Sequence, residues 1–159
     1  MSTTITAFLT ADDVVGGFSP AQLIELLDDP VNPSGALNTT LRDRIIARVN
    51  GEATSLTANK LRFPINVDDA DADSIKATLA GFALDMFEYY AMKDKPHILE
   101  AFTGVQDGYT RAIAWLESVR DGKATIGTSQ VLPGAEVRNA AAQTTHHQGT
   151  FVRKRMKGW

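Results

Sequence analysis

A helical period of apolar residues, punctuated by start and stop signals, runs from about residue 10 to residue 121 and sets narrow limits on the fold. The segment "SPAQLIELLDD" sets the pattern. Ser19 stands at an N-cap, Pro20 at the first helical position and Gln22 three residues after the cap, which together make a capping box. Leu23, Leu26 and Leu27 then fall on one face. Upstream, Thr10 opens "TADDVVGGF", with Asp12 and Asp13 where a helix N-terminus favours negative charge and Gly16-Gly17 as a stop. Asp29-Pro30 and "NPSG" read as a loop.

A long helix is predicted from about Thr39 to Lys60, its core stripe being Leu41, Ile45, Val49, Ala53 and Leu56. Pro64 in "LRFPI" forbids helix in the residue before it. A third helix begins after Asp68 or Asp71 and carries Ile75, Leu79, Phe82, Ala83, Met86 and Tyr90 inward. The fourth starts at Pro96 and presents Leu99, Phe102, Gln106, Tyr109, Ile113 and Leu116, with Val105, Ala112 and Trp115 widening the face. Gly104 and Gly108 within it each cost roughly 1 kcal/mol against alanine, so they either admit a close neighbour or weaken the helix. Gly122 is a C-terminal stop. Strand signals before residue 122 are scarce. The expected fold class is therefore all-α, a small bundle of about four to five helices over residues 1–122, followed by an extended C-terminal arm over 123–159.

Charge divides the chain at the same place. From Gly122 onward six Lys/Arg face one acid, a balance of +5, so residues 1–121 carry −8 within a formal total of −3. Such a split marks a tail with its own partner. The arm ends in "TFVRKRMKGW". Phe151, Val152, Met156 and Trp159 are candidate apolar anchors for a groove on another protein, and Arg153, Lys154, Arg155 and Lys157 would set register against an acidic rim. The same cations would also neutralise phosphates. Against nucleic acid stand the shortness of the run and a sequence pI near 5.6.

Chemistry has little support. The sequence has no cysteine, so disulfides and thiolate sites are excluded. It has no nucleophile-elbow serine, phosphate loop or dinucleotide fingerprint. Asp69, Asp71 and Asp73 share the first three spacings of a calcium loop, but Ser74 replaces its glycine and Ala80 its glutamate, so these acids read as helix-terminal carboxylates. His146-His147 lack companion ligands, and His97 reads as a surface residue. No catalytic residue, metal or cofactor is expected. The opening "MSTTITAFLTADD" is not that of a secretory leader, and no stretch approaches the ~18 apolar residues of a membrane span.

The order of these motifs resembles the head–tail adaptor (head-completion, or neck) proteins of Mu-like tailed bacteriophages. Four pieces carry the likeness: "FLTADDVVGGFSPAQLIELLDD", "LRDRIIARVNGEATSLTANKLRFPI", "LAGFALDMFEYY" and "GYTRAIAWLESVRDGKATIG". In the last, Tyr109, Ala112, Trp115, Leu116, Gly122 and Gly127 fall where that family has its aromatic, Trp-Leu and glycine positions. The sequence departs from the pattern at Gly104 and Gly108 and in its shortened Arg-Phe-Pro exit. The resemblance implies a virion protein of the capsid–tail neck, assembled in the host cytoplasm as a homo-oligomeric ring of about twelve copies. It would sit beneath the portal protein and meet a stopper or tail-terminator protein. Double-stranded DNA would pass through its lumen without sequence-specific binding, and the C-terminal arm would grip the portal. A stopper or tail-terminator subunit and a nucleic-acid-binding module are the alternative readings.

Overall fold

The computed structural model describes residues 2–29, 31–58, 60–93, 95 and 103–126. Five helices and a two-stranded ribbon make up the described residues: β1 (Ser2–Ile5), α1 (Ala11–Gly17), α2 (Pro20–Leu27), α3 (Thr39–Thr57), β2 (Ile65–Asp68), α4 (Asp69–Met92) and α5 (Thr103–Arg120). The mostly helical bundle agrees with the sequence reading. The predicted start of the last helix, with Pro96, His97, Leu99 and Phe102, lies outside the described residues, as does everything from residue 127 on.

Both short N-terminal helices form because their caps are chemically complete. Ser19 Oγ accepts from the Gln22 amide at 3.3 Å while the Ser19 amide donates to Gln22 Oε1 at 2.9 Å. Thr10 and Asp13 repeat the arrangement, the Thr10 amide donating to Asp13 Oδ2 at 2.9 Å. At α4 the predicted carboxylates occupy the first turn, but the N-cap residue Asp68 makes no side-chain capping bond. Asp69 instead accepts from Thr3 Oγ1 at 2.6 Å, and the acids act through their charge at the positive end of the helix.

The ribbon carries no clear sequence signal. β1 and β2 pair antiparallel, Ile5 opposite Ile65 and Ser2 opposite Asp68. Each strand is four residues long and alternates over too short a span to stand out from a loop. Ile5, Ile65 and Val67 point into the core. The turn into β2 passes through a cis Phe63–Pro64 bond, and Phe63 packs edge-on against Phe8 with centroids 4.7 Å apart.

α4 is the spine. At 24 residues it is about 36 Å long, and it touches every other helix and both strands. It therefore buries residues around much of its circumference: Ala72, Ile75, Leu79, Ala80, Ala83, Met86, Phe87, Tyr90 and Ala91. Its principal partner is α5, whose buried face is Val105, Gly108, Ala112, Leu116 and Val119. That face is rotated from the predicted one. Gln106 is exposed, and Tyr109, Ile113 and Trp115 are only half-buried. Gly108 lies on the buried face, where a Cβ would stand 3.3 Å from Asp85 Cγ, so its missing side chain admits α4 closely at this point. Gly104, by contrast, faces open space. Trp115 stacks on Phe82, centroids 4.3 Å apart and planes 15° from parallel.

α5 ends as the sequence predicts, at Gly122 with φ 72°. The Lys123 amide donates back to the Ser118 carbonyl at 2.8 Å. Contact with the body continues beyond that stop: Ala124 packs against the core and Ile126 is buried in it.

Candidate functional site

All eight arm residues singled out in the sequence, Phe151, Val152, Arg153, Lys154, Arg155, Met156, Lys157 and Trp159, lie outside the described residues, as do His146 and His147. What the structure offers is the body such an arm extends from. Its polar side chains gather in three places.

The first is a tie between three helices. Glu52 of α3 accepts from the hydroxyls of Tyr90 on α4 and Tyr109 on α5, the latter at 2.9 Å. Tyr89 stacks on Tyr109 with centroids 4.1 Å apart, and the Arg48 guanidinium lies 4.1 Å from the Tyr90 ring centroid. Burial, followed by the bonding within the group, raises both tyrosine pKa values, so the hydroxyls stay protonated and keep donating. With both of these hydroxyls engaged, the cluster is built to hold α3, α4 and α5 together.

The second is a groove of about 450 Å³ where α2 and α4 end and α3 begins. Leu41, Ile45 and Tyr90 line it, with Arg44, Arg48, Lys93 and Lys95 set against Asp28 and Asp29. Lys95 is almost wholly buried, and its Nζ donates to the carbonyls of Glu25 and Leu26 at 2.9 and 2.8 Å. It thereby satisfies the last carbonyls of α2. Burial lowers its pKa, opposed by Asp28, Glu25 and Asp29. Asp28 is locked into the following loop. Backbone amides of Ser34 and Gly35 bind its carboxylate at 2.9 and 2.7 Å and draw its pKa down to about 2.

The third is a smaller groove of about 240 Å³ between α2 and α4, with Phe18, Leu26 and Met92 on its floor and Glu25 and Glu88 on its walls. Neither glutamate forms a salt bridge among the described residues. Glu88 is half-buried, and desolvation together with neighbouring Asp85 raises its pKa. No sequence signal marks this site, because Glu25 and Glu88 lie far apart in the chain and each reads as an ordinary polar-face residue.

Among the described residues no three His, Asp or Glu side chains come together as a metal site, and no helix is long and apolar enough to cross a membrane. The acidic run with the spacing of a calcium loop is helical from Asp69 onward, so it does not form the loop such a site needs. No curated protein and no solved structure matches the chain. The sequence model of the family described as bacteriophage Mu, Gp36 does match, over residues 8–145. It takes in every described helix and continues past α5 to stop just before the basic end that starts at His146. With a match over most of its length, this helical chain belongs to the bacteriophage Mu Gp36 family.

Proposed function

We propose that this bacteriophage protein is a non-catalytic head–tail adaptor, one subunit of a ring beneath the portal that continues the DNA channel and carries the stopper or tail. Membership of a Mu phage family supports a role in virion structure or morphogenesis. The observation that carries the finer reading is the division of charge, −8 on residues 1–121 against +5 on the remainder. An acidic body suits a channel wall, since it repels the phosphate backbone and lets DNA slide without sticking. A basic, aromatic-ended arm suits docking on a neighbouring ring, where Phe151, Met156 and Trp159 would anchor and Arg153 and Arg155 would fix register.

Deletion of residues 146–159 tests this. The truncated protein should keep a helical circular dichroism spectrum yet fail to join portal-containing heads in a head–tail joining assay. Joining at full efficiency would sink the docking role. A nucleic-acid module predicts a different salt response: affinity for DNA would fall steeply with salt as several counterions are released, whereas an apolar-anchored protein contact weakens far less.

A further inference from the structure

The groove between α2 and α4 is unusual in its charge. Its floor is apolar (Phe18, Leu26, Met92), yet Glu25 and Glu88 stand on its walls without a salt bridge among the described residues. Lys95 also lines it, but its ammonium is already spent on the α2 carbonyls. Half-burying the Glu88 carboxylate is costly, and Asp85 nearby adds to that cost, whereas Glu25 is exposed at the rim and lies in the field of Lys95. A cationic partner would relieve that cost. At about 240 Å³ the groove is smaller than ordinary small-molecule pockets, which begin near 300 Å³, and better matches one or two anchoring side chains of a peptide.

The protein carries a segment of that description. Residues 151–159, "FVRKRMKGW", place four cations between Phe151 and Trp159. The 24 residues from 127 to 150 join it to the last described residue, Ile126. Fully extended they span up to about 80 Å, more than twice the ~36 Å length of α4, so every face of the body is within reach. Tethering also supplies an effective concentration on the order of 1 mM. Against that concentration a contact with a dissociation constant of about 100 μM would be closed roughly ten times as often as open.

We infer that residues 151–159 rest in the α2–α4 groove of their own chain, the basic run facing Glu25 and Glu88 and an aromatic anchor seated on Phe18, Leu26 and Met92. A partner with its own acidic, apolar groove would have to compete the arm away, so the docking segment is sheltered until that partner is present. The inference rests on the reading of this segment as a docking peptide, not on the portal being its partner.

The chain has no cysteine, so engineered pairs report alone. Gln22 lines the groove, and its replacement keeps the backbone half of the α2 cap, the Gln22 amide donating to Ser19 Oγ, whereas Gly51 lies on α3 with open space at its Cβ. In the full chain, Gln22→Cys/Gly158→Cys should close an intramolecular disulfide at least tenfold faster than Gly51→Cys/Gly158→Cys. That preference should vanish with Glu25→Lys/Glu88→Lys and shrink in 1 M salt, which tests the same charges without altering the fold. Equal rates for the two pairs, or a preference indifferent to both charge reversal and salt, would overturn the inference. Disulfide-linked dimers as the main product would also overturn it, assigning the groove to a second copy's arm. Head–tail joining is a separate readout. A closed pair in a protein whose deletion of 146–159 leaves joining intact would keep the resting contact and remove the adaptor docking role.

Discussion

Replacing Glu52 by alanine removes the one acceptor shared by Tyr90 and Tyr109. Both hydroxyls then lose a hydrogen bond to a charged group, each worth about 1.5–3 kcal/mol when sheltered. The bonds are only partly buried, so water recovers some of the loss, and we expect a total cost of about 2–3 kcal/mol. For a chain of this size each kcal/mol moves Tm by about 2–4 °C, which gives a fall of roughly 4–12 °C. Glu52→Gln keeps one acceptor oxygen and should cost about half as much. The diagnostic variant is Glu52→Leu/Tyr90→Phe/Tyr109→Phe, which leaves no polar atom to satisfy and should return to within about 1 kcal/mol of the parent. Urea unfolding followed by circular dichroism gives each value, and the cycle gives the coupling. A cost below about 0.5 kcal/mol for Glu52→Ala, or a triple variant whose loss equals the sum of its parts, would refute the tie.

Other outcomes follow from single contacts. Asp28, with a folded pKa near 2 against an ordinary value of 3.8, contributes stability that is present above the unfolded value and lost as pH falls from about 4 towards 2. Asp28→Asn should therefore flatten the acid limb of a Tm-against-pH profile, and an unchanged limb would show that the 28–35 loop does not contribute. Gly51→Ala, in open space within α3, should stabilise by up to about 1 kcal/mol, while Gly108→Leu should destabilise by forcing α5 from Asp85. Equal shifts in thermal melts of these two would mean that the close approach is not rigid. Lys95→Met should lower stability by leaving the Glu25 and Leu26 carbonyls without their donor, measurable by the same melts.

Local chemistry was legible in the sequence and distant chemistry was not. Ser19 and Gln22 announce a helix start because both partners lie within four residues, and Gly122 announces a stop because its conformation is intrinsic to glycine. The stripe Ile45, Val49 and Ala53 follows from period alone. The inward face of α5 did not, since Gly108 counts as nothing in an apolar pattern yet lies on the face packed against α4. Thr57 shows the same limit: it is fully buried because its hydroxyl donates to the Ala53 carbonyl one turn back, which makes a polar residue acceptable in the core. The ribbon, the Glu52 tie and the acidic groove each need residues brought together across tens of positions, and a periodic reading carries no information about such pairs. For the arm, charge and aromatic placement in the sequence identify candidate residues without fixing their partner.

The burial of Ile126 has a mechanical consequence. Among the described residues, a load drawn along the chain from its C-terminal side meets this side chain, four residues after the Gly122 turn, before it meets the last hydrogen bonds of α5. Pulling must extract an aliphatic group from the core before it can peel the helix, so the attachment yields in a step and not by gradual fraying. Ile126→Ser should turn that latch into a zipper, lowering the force at which α5 begins to unravel in a single-molecule pull from the C-terminal side.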